Sequence, residues 1–180
     1  MANAKLLPNR QALLGLLPKN AVVAELGVDQ GGFSERILKT CTPKKLHLVD
    51  AWDTPRYGKD KENAVKAKFA SQIDKGQVAV HIGYSTDVID QFEDGYFDWI
   101  YIDTDHSYPT TMAELEGYLP KLKPGGIITG HDYVSGSWTS MVRYGVVEAV
   151  HEFCVKNDWE LIYLTVEKEV PGSFAVRGMA

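Results

Sequence analysis

The stretch ELGVDQGGFS at residues 25–34 joins an apolar run to a segment with helical spacing, and it decides the fold. The run that precedes it, 21–26, is apolar and β-branched, as in a buried strand. Phe33 and Ile37 then lie four residues apart, on one face of a predicted helix. The glycines between strand and helix allow a tight turn and a close approach of the backbone to a ligand. A glycine-rich turn also occurs where strand and helix merely pack closely, so this loop needs support from other positions.

The same alternation of strand and helix continues along the chain. Runs typical of buried strands occupy residues 21–26, 46–49, 78–82, 99–102 and 127–129. Stripes with a three- or four-residue repeat predict the helices between and after them; these are Phe33 and Ile37; Val65, Phe69 and Ile73; Val88, Ile89 and Phe92; Met112, Leu115 and Leu119; and Val142, Val146, Val150 and Phe153. Right-handed crossovers place such helices on both faces of a parallel sheet. The pattern therefore predicts an α/β protein with a doubly wound, Rossmann-like sheet.

The end of the chain predicts two more strands, at 160–165 and 173–177, separated by Pro171-Gly172. Their short connection makes them an antiparallel pair, which we expect at one edge of the sheet. The predicted sheet has seven strands and is mostly parallel, with an antiparallel C-terminal strand. The glycines of the loop at 25–34 do not have the GxGxxG spacing, which counts against a nicotinamide or flavin cofactor.

Length and composition favour one soluble domain spanning residues 1–180. We divide it into an N-terminal helical segment at 1–20, a cofactor-binding core at 21–133, and a loop, helix and edge strands at 134–180. The net charge of −5, without a run of basic residues, argues against a nucleic-acid partner. The apolar stretch at 12–17 is too short to cross a bilayer, so no membrane partner is expected. Cys41 and Cys154 are far apart without CxxC spacing, which favours the reducing cytoplasm.

Polar residues follow the predicted strands at the edge of the sheet where ligands bind in such folds. Asp50 follows the second strand and can accept hydrogen bonds from both hydroxyls of a ribose, although alone it is equally compatible with a capping role. Ser85 follows the third strand, where it either borders an adenine or caps the next helix. Combined with the glycine loop, these residues indicate a nucleoside ligand.

Three aspartates and two histidines lie in the turns after the fourth and fifth strands, in YIDTDHSY at 101–108 and TGHDY at 129–133. His106 and His131 therefore occupy the expected site edge. The other histidines lie in strand or helix contexts and are interpreted as structural.

Three segments resemble the class I S-adenosylmethionine-dependent methyltransferases: ELGVDQGGFS at 25–34, FDWIYIDTDHSY at 97–108 and LKPGGIITGHDY at 122–133. The resemblance is to the branch that includes the macrocin O-methyltransferase-like enzymes and, more distantly, the catechol O-methyltransferases. It runs from about Val22 to Tyr133 and implies an enzyme of the EC 2.1.1 class with S-adenosylmethionine as cofactor.

The resemblance implies a cofactor site in which one group of residues surrounds the methionine part, Asp50 and its neighbours hold the ribose, and the third turn faces the adenine. These residues are Glu25, Gly27, Gly31, Asp50, Ala51, Trp52, Gly83, Ser85, Thr86 and Asp103. In the catechol enzymes a metal is held by an aspartate that Asp103 matches and by an Asp-Asn pair that reads His131-Asp132 here. A magnesium or manganese ion on Asp103, His131 and Asp132 is therefore a hypothesis that this departure leaves open.

The resemblance also assigns a catalytic role to His106 with Asp103, because a lysine at the spacing of His106 is the general base of the catechol enzymes. The expected reaction is in-line transfer of a methyl group to an oxygen of a small molecule, with a neutral imidazole of ordinary pKa as base. Alternatives are methylation of nitrogen, a hydroxylase-like member of the same branch, or a nucleoside-binding protein without turnover. The cluster could also serve only to tie the two turns together. We expect the acceptor pocket at the N-terminal segment and at loops 52–60 and 133–144, the latter including Trp138, and we leave a homodimer open.

Overall fold

Eight strands form one sheet at the centre of the structure, a computed structural model that describes residues 4–137, 139, 141–167 and 171–179. The strands of this sheet are β1 (Lys5–Leu7), β2 (Val22–Leu26), β3 (Lys45–Asp50), β4 (Val78–Ile82), β5 (Phe97–Ile102), β6 (Leu122–Gly130), β9 (Trp159–Thr165) and β10 (Phe174–Gly178); β7 (Gly136–Ser137) and β8 (Val142–Arg143) form a separate two-stranded ribbon. The helices are α1 (Arg10–Leu16), α2 (Gly32–Cys41), α3 (Lys59–Lys68), α4 (Ala70–Asp74), α5 (Tyr108–Tyr118) and α6 (Val146–Asn157).

The strand order is β1-β9-β10-β6-β5-β2-β3-β4. The neighbouring strands pair in parallel except at β10, which is antiparallel to both β6 and β9. The chain winds outward in one direction from β2 through β3 to β4 and in the other from β5 to β6, so the order reverses where β2 meets β5. The predicted doubly wound fold is confirmed, and its expected ligand site lies at this reversal.

Two details of the predicted sheet were wrong. The sheet has eight strands instead of seven, because β1 pairs in parallel with β9 inside a segment expected to be helical. The helix of that segment begins only at Arg10, where the side chain of Asn9 accepts a hydrogen bond from the backbone N–H of Ala12. The pair β9 and β10 is antiparallel as expected, but β10 lies inside the sheet and β1 forms the edge.

The helical stripes are only partly realised. The second stripe is divided at Phe69 into α3 and α4. The third stripe forms only a 3₁₀ turn at Ile89–Gln91, because a turn at Gly95 directs the chain into β5 after Phe92. Val142 belongs to β8 and not to the last helix.

The sheet is covered by helices on both faces, as the alternation along β5 illustrates. Ile100 and Ile102 belong to a core with residues of α5 and α6, whereas Trp99 and Tyr101 belong to a core with residues of α1, α2 and α3. Among the described residues, no helix combines the length and apolar character that a bilayer crossing requires.

Candidate active site

A cavity of about 910 Å³ opens at the carboxyl ends of the parallel strands. Most of the residues predicted from the sequence line it: Glu25, Gly27, Asp50, Ala51, Trp52, Gly83, Ser85, Thr86, Asp103, His106 and Asp132. Gly31 and His131 do not. A cavity of this size lies within the range of small-molecule and cofactor sites.

The glycine loop after β2 shows why two of its positions differ in role. Gly27 has a φ of 85°, and a Cβ there would lie 1.9 Å from the carbonyl oxygen of Asp103, so only glycine lets the two strand ends approach. Gly31 has a φ of 70° and precedes α2, and a Cβ there would lie 2.7 Å from Cε2 of Phe69. Gly31 therefore packs closely against Phe69, and its contact with the cofactor stays a prediction.

Glu25 places a carboxyl group at the floor of the cavity. Its residue is 1% exposed, and its Oε2 atom has no hydrogen-bond partner among the described residues. Burial, together with the nearby carboxylates of Asp103 and Asp50, raises the pKa of Glu25 to about 8. A cationic ligand would favour the ionised form of this carboxyl and would serve as its positively charged partner.

Asp50 at the end of β3 accepts three hydrogen bonds from the backbone. Its Oδ2 atom accepts from the N–H groups of Val28 and Asp29 at 2.8 and 2.9 Å, and its Oδ1 atom accepts from that of Trp52 at 3.0 Å. Asp50 thus fixes the glycine loop and the turn after β3. Since a carboxylate has about four acceptor positions, limited capacity is left for a ribose.

Trp52 is buried, and its indole N–H donates to the carbonyl oxygen of Asp29 at 2.9 Å. It forms part of the cavity wall, in a position fixed by that bond.

A buried carboxyl group connects the turns after β4 and β5. Glu114 on α5 accepts a short hydrogen bond from the hydroxyl of Ser85 and another, at 3.0 Å, from that of Thr104. Tyr118, one turn later, donates to the carbonyl oxygen of Ser85 at 3.0 Å. Burial raises the pKa of Glu114 to about 7. The hydroxyl proton of Ser85 is thus committed to Glu114, which leaves the acceptor side of that oxygen for a ligand.

The turns after β5 and β6 bring two histidines and two aspartates together. His106 Nε2 lies 2.8 Å from Oδ2 of Asp132 and 3.8 Å from Oδ1 of Asp103. His131 Nδ1 lies 3.1 Å from the same Asp132 oxygen and 3.8 Å from Oδ1 of Asp103. The sequence-predicted cluster is therefore assembled, with Asp132 shared between the two rings.

The close approach of histidines and aspartates in this cluster shifts the pKa values of His106 and Asp132. Burial lowers the pKa of His106, but the carboxylates of Asp103 and Asp132 outweigh burial and raise it to about 9. Burial also disfavours the charged form of Asp132, yet His106 and His131 outweigh it and hold the pKa of Asp132 well below its usual range. The expected neutral imidazole of ordinary pKa was wrong, because the sequence did not reveal how close both carboxylates lie.

Four of the eight non-glycine residues with positive φ among the described residues lie at this edge of the sheet. A non-glycine residue with a φ between 44° and 63° follows each of four strands, namely Asp29 after β2, Trp52 after β3, His106 after β5 and Asp132 after β6. All four line the cavity. Such conformations cost free energy and are typical of functional sites.

Residues 24–133 match a sequence family described as Methyltransferase domain. The chain belongs to this methyltransferase family. No curated protein matches its sequence.

Solved structures of methyltransferases share its fold. An O-methyltransferase from Bacillus cereus, in complex with SAH, is 17% identical with a TM-score of 0.67 over 94% of this chain and 78% of that chain. A SAM-dependent methyltransferase from Aquifex aeolicus is 13% identical with a TM-score of 0.69 over 94% and 88%. The tRNA methyltransferase TrmK from B. subtilis is 15% identical with a TM-score of 0.68 over 97% and 67%. The predicted methyltransferase fold and enzyme class are confirmed, whereas the narrower branch stays a prediction.

The methyltransferase cavity has further lining residues that the sequence did not single out. Arg10 reaches it from α1, Tyr57 from the loop after β3, and Thr104 from the turn after β5. Thr104 lies inside the motif at 101–108 and had a signal in the sequence. Arg10 had none, because only the fold brings α1 to this edge.

Tyr144, which belongs to the loop predicted to line the acceptor pocket, lies beside His106, and the acceptor role of this loop stays a prediction. The rings of Tyr144 and His106 have centroids 4.8 Å apart, and the N–H of Gly145 donates to the carbonyl oxygen of His106 at 2.9 Å. The predicted contribution of Trp138 lies outside the described residues.

Proposed function

We propose that this methyltransferase transfers the methyl group of S-adenosylmethionine to an oxygen of a small-molecule acceptor. The observation that carries the proposal is the cavity itself, which joins Glu25, Asp50 and Ser85 to the cluster of His106, Asp103 and Asp132. In the sheet order, the first three lie at the carboxyl ends of β2, β3 and β4, so methionine, ribose and adenine would lie in succession along the edge. The cluster then flanks the methionine end, where the methyl group is transferred.

Charge favours a small molecule over a nucleic acid as acceptor. Seven acidic residues line the cavity, and six of them are aspartates: Glu25, Asp29, Asp50, Asp53, Asp103, Asp105 and Asp132. The net charge of the chain is −5. A phosphate backbone would be repelled by this surface, whereas a sulfonium cofactor would be attracted to it.

His106 is the proposed general base, because it lines the cavity and its Nε2 atom lies 2.8 Å from Oδ2 of Asp132, to which Nε2–H can donate while Nδ1 accepts the acceptor proton. The acceptor oxygen attacks the methyl carbon in line, the carbon–sulfur bond breaks, and its electron pair stays on sulfur. His106 takes the acceptor proton, and both carboxylates stabilise the imidazolium that forms. At neutral pH the raised pKa keeps a proton on His106 beforehand, and a cationic ligand in the cavity favours the loss of that proton.

The donor atoms of the cluster also fit a divalent cation. Ligand atoms of Asp103, His131 and Asp132 lie within 4.8 Å of one another. Two carboxylates with one imidazole suit manganese as well as magnesium, and these three residues would hold it. Such an ion would lower the pKa of an acceptor hydroxyl.

Methyl transfer from labelled S-adenosylmethionine to phenols, catechols, amines and RNA tests the acceptor class. His106→Ala should lower the rate by roughly 10²- to 10⁴-fold with little change in the affinity for S-adenosylhomocysteine. His81→Ala, which alters a histidine outside the cavity, is the matched control and should retain the rate. Full activity after exhaustive chelation would remove the cation from the proposal, and methylation of RNA alone would overturn the small-molecule acceptor.

A further inference from the structure

Arg10 is the one lysine or arginine among the described residues that line the cavity. The seven acidic residues around it make the cavity suitable for positive charge and unfavourable for a negative group. The proposed cofactor carries positive and negative charges, since its methionine part has a sulfonium, an ammonium and a carboxylate. A carboxylate in this cavity therefore needs a cation of its own, and Arg10 is the candidate.

Arg10 lies at the end of the cavity where the methionine part is expected. Its Nη1 atom is 3.8 Å from Oδ2 of Asp103, and its Cζ atom is 5.0 Å from the ring centroid of Phe33. Phe33 directly follows the glycine loop, and Asp103 follows β5. Asp50 and Ser85, the proposed ribose and adenine contacts, follow β3 and β4 on the other side of β2. The order of the strands thus separates Arg10 from the nucleoside end.

The main chain around Arg10 is held firmly. The backbone N–H of Arg10 donates to Oε1 of Glu167 at 2.9 Å, and Leu13 and Leu14 of the same helix are fully buried. The guanidinium itself is not in a hydrogen-bonded fork with Asp103, because 3.8 Å exceeds hydrogen-bond distance. A planar guanidinium on a fixed helix is well suited to a two-point bond with a carboxylate.

We propose that Arg10 binds the α-carboxylate of the cofactor's methionine part and so selects for the intact amino acid. The inference rests on the proposed function, because the ligand is its cofactor. The ammonium and sulfonium groups then face Glu25 and Asp103, and the carboxylate faces the opposite charge.

The test compares S-adenosylmethionine with decarboxylated S-adenosylmethionine, which keeps the sulfonium and ammonium but lacks the carboxylate. Calorimetric titration of the wild-type chain should show a roughly 10- to 100-fold preference for the intact cofactor. Arg10→Met, which keeps the apolar stem, should remove most of that preference by weakening the intact cofactor alone. Lys123→Met removes a positive charge that pairs with Asp98, away from the cavity, and this control should keep the preference.

The outcomes separate the two proposals. If the wild-type chain binds neither compound, the proposed function fails and this inference falls with it. If the wild-type chain binds but Arg10→Met keeps its preference, or loses affinity for both compounds alike, Arg10 is not the carboxylate ligand. If circular dichroism shows that Arg10→Met does not fold, the same titrations are made with Arg10→Lys. An intermediate preference is then expected, because lysine keeps the positive charge but cannot form the two-point bond of a guanidinium.

Discussion

Replacing Glu25 with glutamine should stabilise the unliganded protein at neutral and mildly alkaline pH and weaken its binding of S-adenosylmethionine. The carboxyl of Glu25 is buried, and its Oε2 atom has no partner among the described residues. Its pKa is about 8 in the fold against a reference value of 4.5. Glutamine has nearly the same shape and does not ionise.

The pH window follows from the direction of this shift. Below the unfolded pKa both states carry the proton, and Glu25 does not affect the balance. As pH rises toward 8, the unfolded chain releases a proton that the folded chain keeps, so the free energy of unfolding falls by about 1.4 kcal/mol per pH unit. The accumulated loss is on the order of several kcal/mol, and Glu25→Gln should remove it.

Urea unfolding of both chains at pH 5, 6, 7 and 8, followed by tryptophan fluorescence, measures the difference. The variant should gain stability over the wild type progressively with pH and then level off. Asp74→Asn, at an exposed position, is the matched control and should give a curve parallel to the wild type. Parallel curves for Glu25→Gln as well would refute the argument, because the burial of an ionisable carboxyl would then have no energetic consequence. Calorimetry should also show an affinity for S-adenosylmethionine reduced roughly tenfold or more.

Two further perturbations probe stability away from the reaction itself. Burial lowers the pKa of His47 to about 3, so the unfolded chain binds a proton that the folded chain refuses, and stability falls as pH drops from about 6.5 toward 3. His47→Gln should make this acid loss shallower in urea unfolding at pH 4 and 7, and an unchanged slope would contradict it. Gly27→Ala should lower the melting temperature by roughly 5 °C or more, since its Cβ would lie 1.9 Å from a carbonyl oxygen of the neighbouring strand end. Gly32→Ala, whose Cβ would meet nothing within 4 Å, should change the melting temperature by less than about 2 °C, and equal losses for both glycines would count against the steric argument.

Local periodicity was sufficient to predict most of the sheet and to place the site at its edge. The apolar run at Trp99 to Ile102 indicates a strand that is buried on both faces. The polar residues that follow such strands lie near one another, because parallel strands end at the same edge of the sheet. The strand at Lys5–Leu7 escaped prediction, because three residues carry no period and their partner β9 is far away in sequence. The packing of Phe69 against Gly31 could not be predicted either, because it joins two elements that are distant in sequence.

The charges of the candidate site were less accessible to sequence than its residues. The pKa of His106 depends on Asp132, which follows a different strand and lies 2.8 Å away only in the fold. Arg10 was missed for a related reason, since α1 precedes the first sheet motif and reaches the cavity by packing. Distances between side chains from separate elements are tertiary properties, and no motif encodes them alone.

The left-handed residues at the strand ends have a consequence for how this sequence can evolve. At His106 and Asp132 a glycine would relieve the backbone and delete the side chain in one step. Selection for heat resistance and selection for activity would therefore pull the same codons in opposite directions. Valine, isoleucine and threonine would satisfy neither pressure, because branching at Cβ is poorly tolerated at positive φ. In a saturation library sorted separately for folding and for turnover, these codons should thus give divergent survivors, whereas positions in the buried strands should give the same survivors in both sorts.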